Sequence, residues 1–188
     1  MPFATSRFSL TSDLTGEVIH SWRWSGFTLA GILATIGVYG WTLEAFLGAL
    51  RQAEVTLLLD VRQRRGVRGS EYAWANARRL EAALGEAGLG YRHLAELAPT
   101  TELRQLQYRE DERAGVGKRS RAELSPEYRE RYLTEILDRV DLAMLAGEVP
   151  LRTAVLFCVE RDPEACHRSL IAARLADELG FEVGHLRP

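Results

Sequence analysis

The sequence predicts a three-layer α/β protein: one domain built on a doubly wound, mainly parallel, Rossmann-like sheet of about five strands. Three observations carry that prediction. Strand-like and helix-like patterns alternate from residue 31 to residue 188. Two runs, Val55–Val61 and Thr153–Val159, are almost wholly apolar, as strands covered on both faces must be. Those runs also end in polar, reactive residues, which is where open parallel sheets bind ligands.

The elements follow in order. Residues 1–30 are rich in Ser and Thr without a clear period, and read as a poorly patterned leader ahead of a domain at 31–188. Gly31 to Ile36 is a short apolar strand that runs into Gly37-Val-Tyr-Gly40. Thr42 then caps a helix whose stripe is Leu43, Phe46, Leu47 and Leu50. After the Val55–Val61 strand, Ser70 opens a helix with Trp74, Ala77, Leu80 and Leu84 inward, closed by Gly88. Tyr91–Leu94 is a third strand, and residues 98–124 are polar and weakly patterned. Ser125-Pro126 begins a long helix by the N-cap and first-turn rule, with Leu133, Ile136, Leu137 and Val140 inward. Beyond the Thr153–Val159 strand, Asp162-Pro163 caps a helix carrying Leu170, Ile171 and Leu175, and Glu182–Leu186 closes the sheet.

Composition narrows the function. A chain of 188 residues fills one sizeable core. A formal net charge of −2 gives no bulk positive field to announce nucleic acid or a membrane. Lys118 is the only lysine, so every other basic group is a planar, bidentate arginine. Two cysteines cannot frame a secreted disulfide scaffold, and no secretory signal opens the chain; a cytoplasmic location is expected. Trp24 to Leu43 is uncharged for 20 residues, the nominal length of a membrane span. It holds four glycines and divides at Gly37 and Gly40, so it reads as strand, turn and helix start, and no membrane partner is expected.

Polar chemistry collects at the predicted strand exits: Asp60-Val-Arg62, His93, Cys158-Val-Glu160 and His185. The densest run is Cys158 to Arg168, C-V-E-R-D-P-E-A-C-H-R. A helix N-terminus there favours thiolate or phosphate. Arg168 suits a bidentate phosphate contact, and Glu160 or Asp60 suits acid–base work. Cys158 or His167 is expected near the reacting atom. A buried structural Cys158 with a solvated Glu160 is the plain competing reading. A phosphatase loop fails, because Glu164 occupies the position where its arginine belongs. Zinc needs three or four ligands, and the eight-residue separation of the cysteines is not a finger spacing, so no metal is expected. Gly115-Val-Gly-Lys118 lacks the other residues of a phosphate loop.

The loop Asp60 to Arg68 holds four arginines. A solvated charged loop is the ordinary explanation; beside the cysteine cluster, Arg62 and Arg64 become phosphate contacts, with Tyr39 and His93 near the substrate. Tyr39, Trp41, Tyr72 and Tyr108 suit base stacking, whereas Trp74 suits the core. On a helix that starts at Pro163, Cys166 and His167 point about 100° apart. They are therefore not expected to face one point. Cys166 is expected to support the helix, with His167 or Arg168 approaching Asp60 or Glu160 and Cys158 at the floor of a polar site.

These residues resemble a family, domain of unknown function 488. The matching pieces are T-I-G-x-x-G-x-[ST]-L-E-x-F at Thr35–Phe46, L-L-D-V-R at Leu58–Arg62 and Y-x-H-L at Tyr91–Leu94. C-x-E-x-D-P-E-x-C-H-R-S-L-I-A at Cys158–Ala172 and V-x-H-L at Val183–Leu186 complete the set, over roughly residues 34–188. The resemblance implies a three-layer α/β fold in which the D-V-R and C-x-E…C-H-R segments converge. Val38-Tyr39 departs from the usual residues after Thr-Ile-Gly, and Ala95–Thr100 replaces a Gly-rich stretch, which resembles a subgroup with E-L-A-P-T-x-E-L-R. The family name carries no activity. Three readings therefore stand: an enzyme acting on a nucleotide or nucleic-acid phosphate or base, a non-catalytic nucleotide or nucleic-acid binding module, and a thiol redox or metal protein. The pattern identifies no cofactor and no homo-oligomer.

Overall fold

Five parallel strands form one sheet in the order β3-β2-β4-β1-β5: β1 Ile32–Ile36, β2 Val55–Asp60, β3 Gly90–His93, β4 Thr153–Phe157 and β5 Glu182–Leu186. The computed structural model describes residues 32–117, 119–147, 153–180 and 182–188. The expected leader at 1–30 and Lys118 lie outside the described residues.

The chain steps from β1 outward to β2 and β3, then returns through β4 and β5 on the other side of β1. That reversal divides the helices between the two faces. Helices α1 (Leu43–Gln52) and α2 (Ala77–Glu86) cover one face, burying Phe46, Leu50, Leu80 and Leu84 against Leu58, Val155 and Phe157. Helices α3 (Thr101–Arg113), α4 (Pro126–Glu135), α5 (Leu142–Ala146) and α6 (His167–Leu179) belong to the other face. They bury Leu103, Tyr132, Leu145 and Ile171 against Leu33, Leu59 and Leu156. Alternate residues of β4 therefore serve opposite cores, and Cys158, one residue past its end, falls on the α3–α6 face. Among the described residues, no helix is long and apolar enough to cross a membrane.

Four local expectations change. The helix expected from Ser70 divides into a 3-10 turn at Ser70–Ala75 and α2, because Asn76 is extended and its side chain accepts from Val67 N at 2.7 Å. Residues 98–124, expected to be weakly patterned, contain α3, capped by Thr100. The helix from Ser125-Pro126 stops at Glu135 and turns Tyr128 and Tyr132 inward, an i, i+4 pair; Leu133 is only half-buried. Asp162-Pro163 begins a 3-10 turn, Pro163–Ala165, and α6 starts only at His167. The last change rearranges the site.

Candidate functional site

Strand β4 delivers the site. Cys158 N donates to Ile36 O at 3.2 Å, and Val159 O accepts from Val38 N and Tyr39 N at 3.0 and 3.2 Å. The exit loops of β1 and β4 are thus bound backbone to backbone. Glycine is required at the crossing, since a Cβ on Gly37 would overlap the Glu160 carbonyl oxygen. Gly40 takes φ +94°, a left-handed backbone where a side chain would also meet Pro188.

Arg168 sits behind this crossing. It is 1% exposed and donates to Glu160 O at 2.6 Å and Arg161 O at 2.8 Å, with Thr35 Oγ1 at 3.4 Å. The bidentate phosphate contact expected of it is replaced by a bidentate contact to the β4 exit backbone. Thr35 Oγ1 also meets His185 Nδ1 at 2.8 Å, which ties β5 to the same point.

The exit of β2 is closed upon itself. Asp60 is fully buried; Oδ1 accepts from Arg62 N and Nε at 3.1 and 2.8 Å, and Oδ2 accepts from Arg62 Nη2 at 2.7 Å and the Tyr91 hydroxyl at 2.8 Å. Arg62 spends its remaining Nη1 on Ala75 O at 2.8 Å, and its guanidinium lies 4.6 Å from the Phe157 ring centroid. His93 Nε2 donates to Arg62 O at 2.9 Å. Asp60 and His93 do not line the cavity described next, and Arg62 reaches it with each guanidinium nitrogen already donating one bond to the protein.

Above β2 and β4 opens a cavity of about 460 Å³. Its lining includes Cys158, Glu160, Cys166 and His167, arginines 62, 64, 68, 104, 119 and 121, and Tyr39, Tyr108 and Tyr128. Among the described residues, the guanidinium groups of Arg64 and Arg68 have no partner. Arg119 lies 4.8 Å from the Tyr39 ring centroid and 3.8 Å from Glu71. Arg104 donates to Gln63 Oε1 at 2.6 Å and to the Tyr108 hydroxyl at 2.9 Å. Trp74, expected in the core, is half-buried and packs against it on Phe46.

Cys166 and His167 do face one point, with Cys158. Cys166 is extended, φ −141° and ψ 140°, because it is the N-cap of α6 and not a residue within it. The 100° helical offset does not apply across that boundary. Cys158 Sγ lies 3.9 Å from both ring nitrogens of His167, and Cys166 Sγ lies 3.9 Å from Nδ1. His167 Nε2 stands 3.0 Å from Val61 O. A carbonyl only accepts, so Nε2 carries a proton, and Nδ1 is the ring nitrogen that both sulfurs reach. Both thiols are free and buried. Hydrogen bonding to Cys166, together with burial, pushes the Cys158 thiol well up. Burial opposes ionisation of Cys166 too, but the Cys158 hydrogen bond and the charges of Arg168 and His167 hold it well below the usual thiol range.

Glu160 stands at the cavity wall, its side chain 21% exposed. Desolvation pushes its carboxyl up to about 7, reinforced by Cys166 and Asp111 and opposed by Arg121 and Arg168. Arg121 bridges that wall, donating to Asp111 Oδ2 at 2.7 Å, Glu160 Oε1 at 3.3 Å and Ala165 O at 3.0 Å. Gln107 orients Asp111 through a 2.8 Å bond. The sequence reading passed over Gln107 and Asp111. Thr100 followed by Leu103 and Leu106, a cap before a narrow apolar stripe, is the signal that places them one turn further along the same helix face.

The model of a family described as "Domain of unknown function DUF488" matches residues 42–175. The match takes in the D-V-R and C-x-E…C-H-R pieces and leaves Thr35-Ile-Gly37 and Val183–Leu186 outside it. No curated protein and no solved structure matches the chain.

Proposed function

We propose, for a chain that belongs to the DUF488 family and so to one whose description assigns no activity, an enzyme acting on a nucleotide-class substrate. The observation that carries the reading is the convergence of Cys158, Cys166 and His167 at the floor of an arginine-rimmed cavity. A cavity of about 460 Å³ lies within the range of small-ligand sites. Arg64 and Arg68, with uncommitted donors at the rim, suit a phosphate; Arg119 can release Glu71 to join them. Tyr39 and Tyr108 offer ring surface for a base, each currently faced by an arginine. The reacting atom then lies over the thiols and His167, and Glu160 is the carboxyl positioned to carry a proton. Arg62, Asp60 and Arg168 act as positioning residues, since their polar groups hold backbone and one another.

The test is a panel of nucleoside phosphates and short oligonucleotides offered to the full chain, with bound species read by native mass spectrometry and turnover by chromatography. Binding is expected to weaken with rising salt and in Arg64→Ala and Arg68→Ala. Glu160→Gln and Cys158→Ser are expected to keep binding and lose turnover. Binding without turnover in the parent chain favours a non-catalytic module, and absence of both overturns the reading.

A further inference from the structure

We infer that Cys158, Cys166 and His167 form a binding site for a zinc-class divalent cation, open toward the cavity. The inference stands on these three side chains and does not depend on the substrate proposed above. Their donor atoms lie within 4.8 Å of one another, and both thiols stand 3.9 Å from His167 Nδ1. Tetrahedral zinc, with Zn–S about 2.3 Å and Zn–N about 2.0–2.1 Å, sets sulfur and nitrogen about 3.6 Å apart. Both S–Nδ1 separations are thus within a few tenths of an ångström of that value; Cys158 Sγ stands equally far from the two ring nitrogens, so gathering the three donors onto one ion also takes a turn of the His167 ring toward it.

The tautomer is already set for this. His167 Nε2–H is held by the Val61 carbonyl, so the ligating nitrogen is Nδ1, and a backbone carbonyl fixing the far ring nitrogen is the usual support of a metal-bound imidazole. The donor set is selective. Two thiolates and an imidazole favour zinc over magnesium or calcium, which take oxygen. The other described histidines do not complete a closed cage, since His93 is bound to Arg62 O and His185 to Thr35 Oγ1. Three protein donors with the fourth direction facing a cavity is the arrangement of a working zinc site rather than a structural one. Binding exchanges thiol protons for the cation, and those protons pass to solvent.

The test uses the full chain, purified without chelator and assayed for metal, then stripped and titrated with Co²⁺ and Zn²⁺. About one zinc per chain is expected, or uptake of one Co²⁺ with a thiolate-to-cobalt charge-transfer band and proton release. Cys166→Ser and His167→Ala should weaken Co²⁺ binding by at least about 100-fold, the upper loss seen when only a ligand's supporting partner is removed. His185→Gln should leave it unchanged. A stripped parent chain that shows no charge-transfer band with Co²⁺ overturns the inference, whatever the variants do. So does a Cys158–Cys166 disulfide in reduced protein, or a folded Cys166→Ser chain that binds Co²⁺ as tightly as the parent.

Discussion

Strands β2 and β4 are hydrogen-bonded neighbours, and both run into polar residues at the same edge of the sheet. At the β2 exit, Asp60, Arg62, Tyr91 and His93 satisfy one another and the nearby backbone. At the β4 exit, Cys158, Cys166 and His167 Nδ1 face chiefly each other across a gap longer than a strong hydrogen bond, and Glu160 is shared with a cavity. Two charged or reactive clusters therefore stand side by side with opposite uses. A polar group whose partners are all supplied by the protein is scaffolding. One that is desolvated yet left facing open space has its partner still to come.

The largest effect is expected where the scaffold is closed. Removing one member of a buried ion pair leaves the other uncompensated, at a cost of about 3–5 kcal/mol. Asp60→Ala should show that loss in denaturant unfolding, with Arg62 left without its carboxylate. The double variant Asp60→Leu, Arg62→Met should recover much of it, because the charge that needed pairing is gone as well. A single-variant loss below about 1 kcal/mol would mean that the β2 exit is hydrated rather than closed.

Next comes the brace behind the β4 exit. Arg168→Met should cost about 1–3 kcal/mol, the penalty for leaving the partly buried carbonyls of Glu160 and Arg161 without a donor. Arg168→Lys should restore only part of it, since one ammonium cannot reproduce a planar two-carbonyl contact. Full rescue by lysine would reduce the brace to a simple charge. On the open side the loss should be smaller: in metal-stripped protein, Cys166→Ala should cost about 1 kcal/mol, the scale of one buried heavy atom. A loss as large as that at Asp60 would erase the contrast between the exits.

Both exits were legible in the sequence as positions, because β2 and β4 are the two runs apolar enough to be buried on both faces, and Asp60 ends one while Cys158 directly follows the other. Their division of labour was not. Whether Asp60 is free depends on Tyr91, which comes from β3, and on Ala75, which comes from a turn; neither lies in the D-V-R motif. The cluster of Cys158, Cys166 and His167 was hidden by one backbone angle. A helix started at Pro163 turns Cys166 away from His167, whereas a 3-10 turn followed by an extended cap turns them together. The wall built from Gln107, Asp111 and Arg121 was missed for a related reason: its buried residues are polar, so hydrophobic periodicity is silent where the site needs hydrogen bonds.

The smallest expected effect is the one that tests the closed exit by its proton. Tyr91 donates to Asp60 and receives from Arg65, which also pairs with Glu81. Desolvation, with Asp60 beside it, pushes the phenol from an ordinary 10.0 up to about 12, against the pull of Arg65. The unfolded chain therefore releases this proton before the folded chain does. Its contribution is complete below about pH 10 and is lost as pH rises toward about 12. Tyr128 and Tyr132, whose phenols burial holds up more strongly, add to the same alkaline loss in any variant that retains them. The reading is therefore a difference. Tyr91→Phe should cost about 0.5 kcal/mol at neutral pH, the low end for a hydrogen bond in a half-exposed setting. That gap from the parent should narrow between pH 10 and 12 in paired urea titrations. A gap that stays constant across that window would show that the phenol does not hold its proton for Asp60, and that the β2 exit is closed by Arg62 alone.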